Sequence, residues 1–142
     1  MTNSIMVGMA EVKICHTPEG VLTALGLGSC IGVCALDPVA HVTGMAHIVL
    51  PKSMGGDTTL GKFADTGVPL LLQEMEKRGA RSSRIRFALV GGAQLFSFQG
   101  ANTRLDVGVR NIQAVQAELA ERRLNVVAED VGGKSGRTVY LN

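Results

Sequence analysis

Residues 30–50, CIGVCALDPVAHVTGMAHIVL, predict the central strands of this protein. The segment Cys30–Leu36 is continuously apolar, and the Asp-Pro pair that follows it is typical of a turn. Val42–Leu50 is a second apolar run, and it ends at Pro51. Short apolar runs joined by a tight turn indicate neighbouring β-strands. An antiparallel return of this length would bring the second run back beside the start of the first.

Further short strands are predicted on both sides of this pair. They are alternating or apolar runs bounded by glycine and other turn residues. These runs cover Val7–Cys15, Val21–Leu27, Arg84–Val90, Asn125–Glu129 and Arg137–Leu141. Together with the central pair they make about seven strands, and the short connections within the first third of the chain favour antiparallel or mixed pairing.

A first helix is predicted over about Leu60–Arg78, where apolar residues recur at helical spacing. Pro69 is unfavourable in the interior of a helix. The helix could instead begin with Asp65 or Thr66 as its N-cap, which would place the proline in the first turn.

A second helix is predicted over about Val107–Arg123, with Asp106 as its N-cap. The predicted helices are too few and come too late in the chain for a repeated strand-helix-strand pattern. The expected fold class is therefore α+β. We predict a layered α/β sandwich of mixed, mostly antiparallel sheet with two main helices, in a single domain that spans residues 1–142.

The composition excludes several classes of protein. Apolar residues make up 46% and charged residues 18% of the 142 positions, which is enough for a core and too little charge for a disordered chain. A net charge of +2 does not predict nucleic-acid binding. No apolar run reaches the roughly 18–20 residues of a membrane span, and residues 1–10 lack the pattern of a secretory signal. A cytoplasmic location is expected.

No metal or organic cofactor is expected. Three cysteines without a CxxC pair indicate free thiols, and the histidines are scattered. Gly26-Leu-Gly28 begins like a dinucleotide fingerprint, but the next glycine is out of register and a strand follows. Gly133-Lys134-Ser135 resembles the end of a phosphate-binding loop, but the earlier glycine of that motif is missing. A β-turn explains this second segment better.

Cys30 is the candidate nucleophile. Glycines before it allow a substrate to approach closely, and backbone N–H groups around Gly28 and Ser29 could stabilise an oxyanion. His47, in the second apolar run, could accept the thiol proton and later protonate a leaving amine. Spacing alone leaves open the other interpretation, a packed thiol and a structural histidine. Two further cysteines are expected to be packing residues and two further histidines surface residues: Cys15, Cys34, His16 and His41.

A series of motifs occurs in order along nearly the whole chain. They include Leu25-Gly-Leu-Gly-Ser-Cys30, Gly44-Met-Ala-His47-Ile-Val-Leu-Pro51, Lys62-Phe-Ala-Asp-Thr66, Gly91-Gly-Ala93, Arg110-Asn111 and Ala128-Glu-Asp-Val-Gly-Gly133. In this order the motifs resemble the chemoreceptor glutamine deamidase family, CheD. The resemblance implies a protein-glutamine glutaminase that converts particular glutamines of methyl-accepting chemotaxis receptors to glutamate. It also implies a fold similar to that of the deamidating-toxin cysteine hydrolases.

The resemblance assigns the catalytic cysteine and histidine to Cys30 and His47. It also implies a threonine directly before Leu25, but this chain has Ala24 there and Thr23 one residue earlier. A shift of one residue in a strand reverses the side-chain direction, so Thr23 could replace the family threonine only if a bulge restores it. Otherwise a backbone carbonyl, Ser29 or water must orient His47.

Two alternatives to the receptor deamidase stay open. The first is a mainly regulatory protein that binds a CheC-type phosphatase, with Phe96 and Phe98 as candidate partner-binding anchors. The second is a cysteine hydrolase that acts on an unrelated small amide. A monomer is expected, because nothing in the sequence indicates an obligate oligomer.

Overall fold

The computed structural model describes residues 3–16, 20–94 and 106–142. Within these ranges the chain forms eight strands, one 3-10 turn (Leu60–Lys62) and two helices, α1 (Ala64–Lys77) and α2 (Val107–Glu121). The strands are β1 (Asn3–Met6), β2 (Val12–His16), β3 (Gly20–Leu27), β4 (Ile31–Asp37), β5 (Val42–Ile48), β6 (Arg86–Gly91), β7 (Asn125–Val131) and β8 (Arg137–Leu141).

The strands form two sheets. One is five-stranded, in the order β2-β5-β4-β6-β7, and is antiparallel except for the β6–β7 pair. The other is three-stranded, in the order β1-β3-β8, with β1 parallel to β3. At the centre of the larger sheet β4 pairs with β5, with Ile31 opposite Ile48 at one end and Asp37 opposite Val42 at the other. The antiparallel pair predicted from residues 30–50 is confirmed.

The layers follow from the way successive side chains of β4 and β5 point to opposite faces of the larger sheet. Side chains on one face pack against both helices and form a helix-side core, which includes Ile31, Val33, Ile48, Val68, Leu71 and Val115. Side chains on the other face meet the three-stranded sheet in an inter-sheet core, which includes Val7, Leu22, Ala24, Leu27, Cys30, Cys34 and Met45. Burial on both faces explains why these strands are continuously apolar. The predicted layered α+β sandwich is confirmed.

The predicted strand Val7–Cys15 is wrong in extent. The chain instead forms β1 and β2, with a tight turn between them. The Gly8 amide donates to Oε1 of Glu11 at 2.6 Å, and the Glu11 amide donates back to the Gly8 carbonyl at 3.0 Å. Ala10 adopts a φ of 68°, a left-handed conformation that a regular strand does not contain. The loose alternation of apolar residues in this segment predicts one strand and gives no sign of the turn.

The predicted N-cap of the first helix is also wrong. Helix α1 begins at Ala64 with Phe63 at the cap and no side-chain cap hydrogen bond. The side chain of Asp65 instead accepts a hydrogen bond from the Ser53 amide at 3.0 Å, so it anchors the preceding loop. Pro69 lies in the second turn of the helix, where its missing N–H leaves one intrahelical hydrogen bond unmade. Asp106 does occupy the N-cap position of α2, as predicted, but its side chain makes no capping hydrogen bond.

Asp37, at the end of β4, is fully buried and anchors the turn to β5. Its carboxylate accepts hydrogen bonds from the Val39 and Ala40 amides and from the Arg81 amide, and it pairs with Arg84 at 3.0 Å. Burial raises the pKa of this carboxyl, but the backbone and arginine hydrogen bonds outweigh burial and lower the pKa to about 2.

Asp37→Asn should lower the free energy of unfolding at neutral pH by about 3 kcal/mol, because an amide cannot satisfy this set of donors or the arginine charge. The depressed folded-state pKa gives stability that is complete above the unfolded value of 3.8 and is lost as the pH falls toward about 2. Urea unfolding at neutral and acid pH measures both effects. Asp130→Asn is the control, since that side chain is 71% exposed in its ion pair; an equal loss there would contradict the assignment.

Candidate active site

The loop between β3 and β4 holds Cys30 in a fixed position. All three carbonyl oxygens of residues 28–30 accept hydrogen bonds from the segment after β6 or from helix α2. Their donors, in order, are the Ala93 amide at 2.8 Å, Asn111 Nδ2 at 2.8 Å and the Gly92 amide at 2.9 Å. The loop therefore rests on the segment that follows β6 and on the first turns of α2.

Glycine at position 91 makes this close contact possible. Gly91 has a φ of 115°, and a Cβ added there would lie 2.2 Å from the Cys30 carbonyl oxygen. No other residue type fits this backbone without moving the loop. The Gly91-Gly92 pair therefore sets the distance between β6 and the cysteine loop.

The carbonyl contacts also determine the direction of two backbone amides. In a trans peptide the C=O and the following N–H point in opposite directions. The Gly28 and Ser29 carbonyls point toward their donors, so the Ser29 and Cys30 N–H groups point the other way. Within residues 3–16, 20–94 and 106–142, neither N–H donates a hydrogen bond. Two adjacent unpaired amides can bind a developing oxyanion.

The three cysteines are all free and buried. Cys30 is 9% exposed and lies at the end of the loop, whereas Cys34 is 3% exposed in the middle of β4. Burial raises the pKa of the Cys30 thiol, and it raises that of Cys34 to about 12. The expected packing position of Cys34 is confirmed. Because burial favours the neutral thiol at Cys30, ionisation of that thiol requires a nearby base.

His47 lies on β5 and is 5% exposed. Its Nδ1 lies 3.0 Å from the Val7 carbonyl oxygen, which only accepts hydrogen bonds, so Nδ1 carries the proton. Its backbone is held as well, because its amide donates to the Glu11 carbonyl and its carbonyl accepts from the Ala10 amide, both at 3.0 Å. The turn after β1 thus fixes both the ring and the backbone. In this tautomer Nε2 has the free lone pair and can accept a proton.

The register of β4 and β5 brings Cys30 and His47 together. Gly32 lies opposite His47, and Ile31 lies opposite Ile48. Cys30, one residue before β4, is therefore at the position diagonal to the histidine. Diagonal neighbours on antiparallel strands lie about 7–8 Å apart at Cα, and less at Cβ. Cys30 packs in the inter-sheet core with Met45, which lies on the same face of β5 as His47.

Thr23 lies on the other side of its strand. Its hydroxyl is 3.2 Å from the Ser4 hydroxyl on β1, whereas the next residue, Ala24, lies in the inter-sheet core with Cys30. A bulge does interrupt β3, but it falls between Ala24 and Leu27, after both positions. The Thr23 hydroxyl thus points away from the face that holds His47, and its catalytic role stays a prediction. Its carbonyl accepts the Val7 amide at 2.8 Å.

Two groups that shape the site, the Val7 carbonyl and Asn111, have no role predicted from the sequence. The carbonyl carries no sequence signal, because any residue supplies one. Asn111 does carry a signal, since it is spaced four and eight residues from the buried Val115 and Leu119 on the core-facing side of α2. Phe96 and Phe98, the predicted partner-binding anchors, lie outside the described residues. The described part of the chain contains no group of three or more metal-ligating side chains.

A thiol diagonal to an oriented imidazole, preceded by two adjacent backbone amides that donate no hydrogen bond within the described residues, is typical of cysteine-dependent acyl-transfer hydrolases. Comparison with known proteins gives the family. The sequence model for CheD, described as chemotactic sensory transduction, matches residues 49–142. That match begins after Cys30 and His47, but the curated relatives that follow align with nearly all of the chain. This chain belongs to the CheD family.

Curated relatives align over almost their full length. A chemoreceptor glutamine deamidase CheD from Halalkalibacterium halodurans is 43% identical, and the alignment covers 100% of this chain and 89% of the length of that relative. A probable one from Desulfitobacterium hafniense is 45% identical with the same coverage, and one from Thermotoga maritima is 42% identical over 96% and 84%. Among solved structures, the hypothetical protein YfiH of Bacillus licheniformis is 13% identical over 91% of this chain and 59% of its own, with a TM-score of 0.49.

No helix in the described part of the chain is long and apolar enough to cross a membrane.

Proposed function

We propose that this protein hydrolyses the side-chain amide of glutamines in methyl-accepting chemotaxis receptors, giving glutamate and ammonia. The observation that carries the proposal is the diagonal placement of Cys30 and His47, with Nδ1 of the histidine fixed by the Val7 carbonyl. The names of relatives that are 42–45% identical over nearly the whole chain support the substrate class.

The first step is formation of a thioester. His47 Nε2 accepts the thiol proton as the Cys30 sulfur attacks the glutamine Cδ carbonyl, and the carbonyl oxygen becomes an oxyanion. The Ser29 and Cys30 amides donate to this oxyanion. Burial raises the pKa of the free Cys30 thiol and so favours its neutral form, and transfer of its proton to His47 therefore accompanies the attack.

The remaining steps return the enzyme to its resting form. As the tetrahedral intermediate collapses, the His47 imidazolium gives its proton to the departing nitrogen, and ammonia leaves. His47 then takes a proton from water, which attacks the thioester carbonyl. The second tetrahedral intermediate releases glutamate, and the sulfur recovers its proton from the histidine. These steps require no metal and no organic cofactor.

The Val7 carbonyl supplies the orientation that the family threonine is expected to give. A group that accepts the Nδ1 proton keeps the imidazole in the tautomer with Nε2 free and stabilises the imidazolium that forms during attack. This arrangement allows activity with Ala24 at the threonine position. It corresponds to one of the three alternatives derived from the sequence, a backbone carbonyl.

The receptor is the proposed substrate partner, and the cytoplasm is the proposed location. A CheC-type phosphatase partner and a monomeric state remain predictions. The mainly regulatory alternative is not favoured by the names of the relatives.

Peptide mass spectrometry tests the proposal. The purified protein is incubated with the cytoplasmic fragment of a receptor from the same organism, and glutamine-to-glutamate conversion is followed at each site. Free glutamine and an unrelated helical protein serve as control substrates. We expect conversion at particular receptor glutamines and none in the controls. Absence of conversion by folded protein would contradict the proposal, and equal conversion of the controls would favour a small-amide hydrolase.

A further inference from the structure

Asn111 links the two segments that carry the catalytic pair. It lies on α2, is fully buried, and its Nδ2 donates to the Ser29 carbonyl at 2.8 Å and to the Val49 carbonyl at 2.9 Å. Ser29 precedes Cys30 directly, and Val49 lies two residues after His47. Since both partners are carbonyl oxygens, the amide nitrogen must face them. One side chain thus holds the cysteine loop against the end of β5.

We infer that Asn111 is a positioning residue for the oxyanion site, and this inference rests on the proposed acyl-transfer function. The Ser29 carbonyl and the Cys30 N–H belong to one trans peptide and point in opposite directions. Asn111 therefore aims the Cys30 N–H into the site by holding the carbonyl of the same peptide. Without that contact the peptide can rotate, and the donor no longer faces the developing oxyanion.

The other polar atom of Asn111 supports this role. Its Oδ1 is buried and has no hydrogen-bond partner in the part of the chain that the structure describes. A buried carbonyl without a partner is costly, and an apolar residue at this helix position would avoid the cost. The two donated hydrogen bonds explain why a polar side chain is nevertheless present among the core residues of α2.

Two probes of Cys30 separate positioning of the oxyanion from general stability. Iodoacetamide alkylates the thiol by displacement of iodide and forms no oxyanion. p-Nitrophenyl acetate acylates it through a tetrahedral oxyanion, giving S-acetyl Cys30 and p-nitrophenolate. Both rates are measured at Cys30 by peptide mass spectrometry in the wild type, Asn111→Leu and Asn111→Ser. Gln113→Leu, at an exposed position of the same helix, is the matched control.

Asn111→Leu should lower the acylation rate by about 10- to 100-fold and leave alkylation nearly unchanged. Asn111→Ser keeps one donor and should lower it less, and the control should change neither rate. If Asn111→Leu leaves the ratio of the acylation rate to the alkylation rate unchanged, whether both rates fall together or neither changes, the inference is overturned. If the leucine variant does not fold, the ratio in the serine variant decides. Neither probe is a glutamine, so failure of receptor deamidation in the wild type is a separate result.

Discussion

Replacing Cys30 with alanine is expected to abolish deamidation of receptor glutamines, with a loss in kcat of about four orders of magnitude or more. The reason is that the sulfur forms the covalent bond to the substrate, and no neighbouring side chain can replace it. Cys34, in the middle of β4, is only 3% exposed, and burial raises the pKa of its thiol to about 12, so we do not expect it to act as a nucleophile.

Single-turnover deamidation of the receptor fragment, followed by peptide mass spectrometry, measures this loss. Cys34→Ala is the matched control and should stay within a few-fold of wild type, because it removes a thiol that is only a packing group. Both variants must show a cooperative thermal transition. Retained deamidation in Cys30→Ala, or a comparable loss in Cys34→Ala, would contradict the assignment of the nucleophile.

His47→Gln should lower the deamidation rate at neutral pH by about 10²- to 10⁴-fold, the usual contribution of a general base. The loss should shrink as the pH rises. Burial raises the pKa of the Cys30 thiol, so without a base the thiolate forms only when alkali begins to ionise it. The rate of the variant should therefore keep increasing with pH up to the alkaline range in which the Cys30 thiol ionises on its own.

The pH–rate profile of His47→Gln, compared with that of His41→Asn, tests this prediction. His41 is exposed in the β4–β5 turn at a φ of 57°, a conformation that asparagine accepts well, so the control preserves the turn. We expect the control to follow the wild-type profile. A His47→Gln profile parallel to the wild type would mean that this histidine does not handle the proton.

The central part of the fold is predictable because its signals are local. The strand pair in residues 30–50 is continuously apolar and is separated by an Asp-Pro turn, and both features follow from burial on two faces and from backbone geometry. The turn after β1 is not predictable from the local sequence, because Gly8 and Ala10 interrupt the apolar alternation only weakly. The start of α1 differs from the prediction because the helix begins without a side-chain cap. Asp65 instead accepts a hydrogen bond from the Ser53 amide in the preceding loop.

The site was predictable only in part, for a related reason. The spacing of Cys30 and His47 fits an antiparallel return, but it leaves open a packed thiol and a structural histidine, and only the resemblance to the CheD family assigned the two residues as catalytic. The groups that hold them come from distant parts of the chain. Val7 lies 40 residues from His47, and Asn111 lies 82 residues from Ser29. Such contacts depend on how the two sheets and α2 pack, which no local pattern in a single sequence records.

Hydroxylamine trapping tests the covalent mechanism most directly. Hydroxylamine competes with water for a thioester, so the wild-type protein acting on the receptor fragment should convert the same glutamines partly to glutamyl hydroxamates. We expect hydroxamate formation at the expense of glutamate as the hydroxylamine concentration rises, and none with Cys30→Ala. Glutamate as the sole product at every hydroxylamine concentration, or hydroxamate formed equally by Cys30→Ala, would contradict an acyl-enzyme at Cys30.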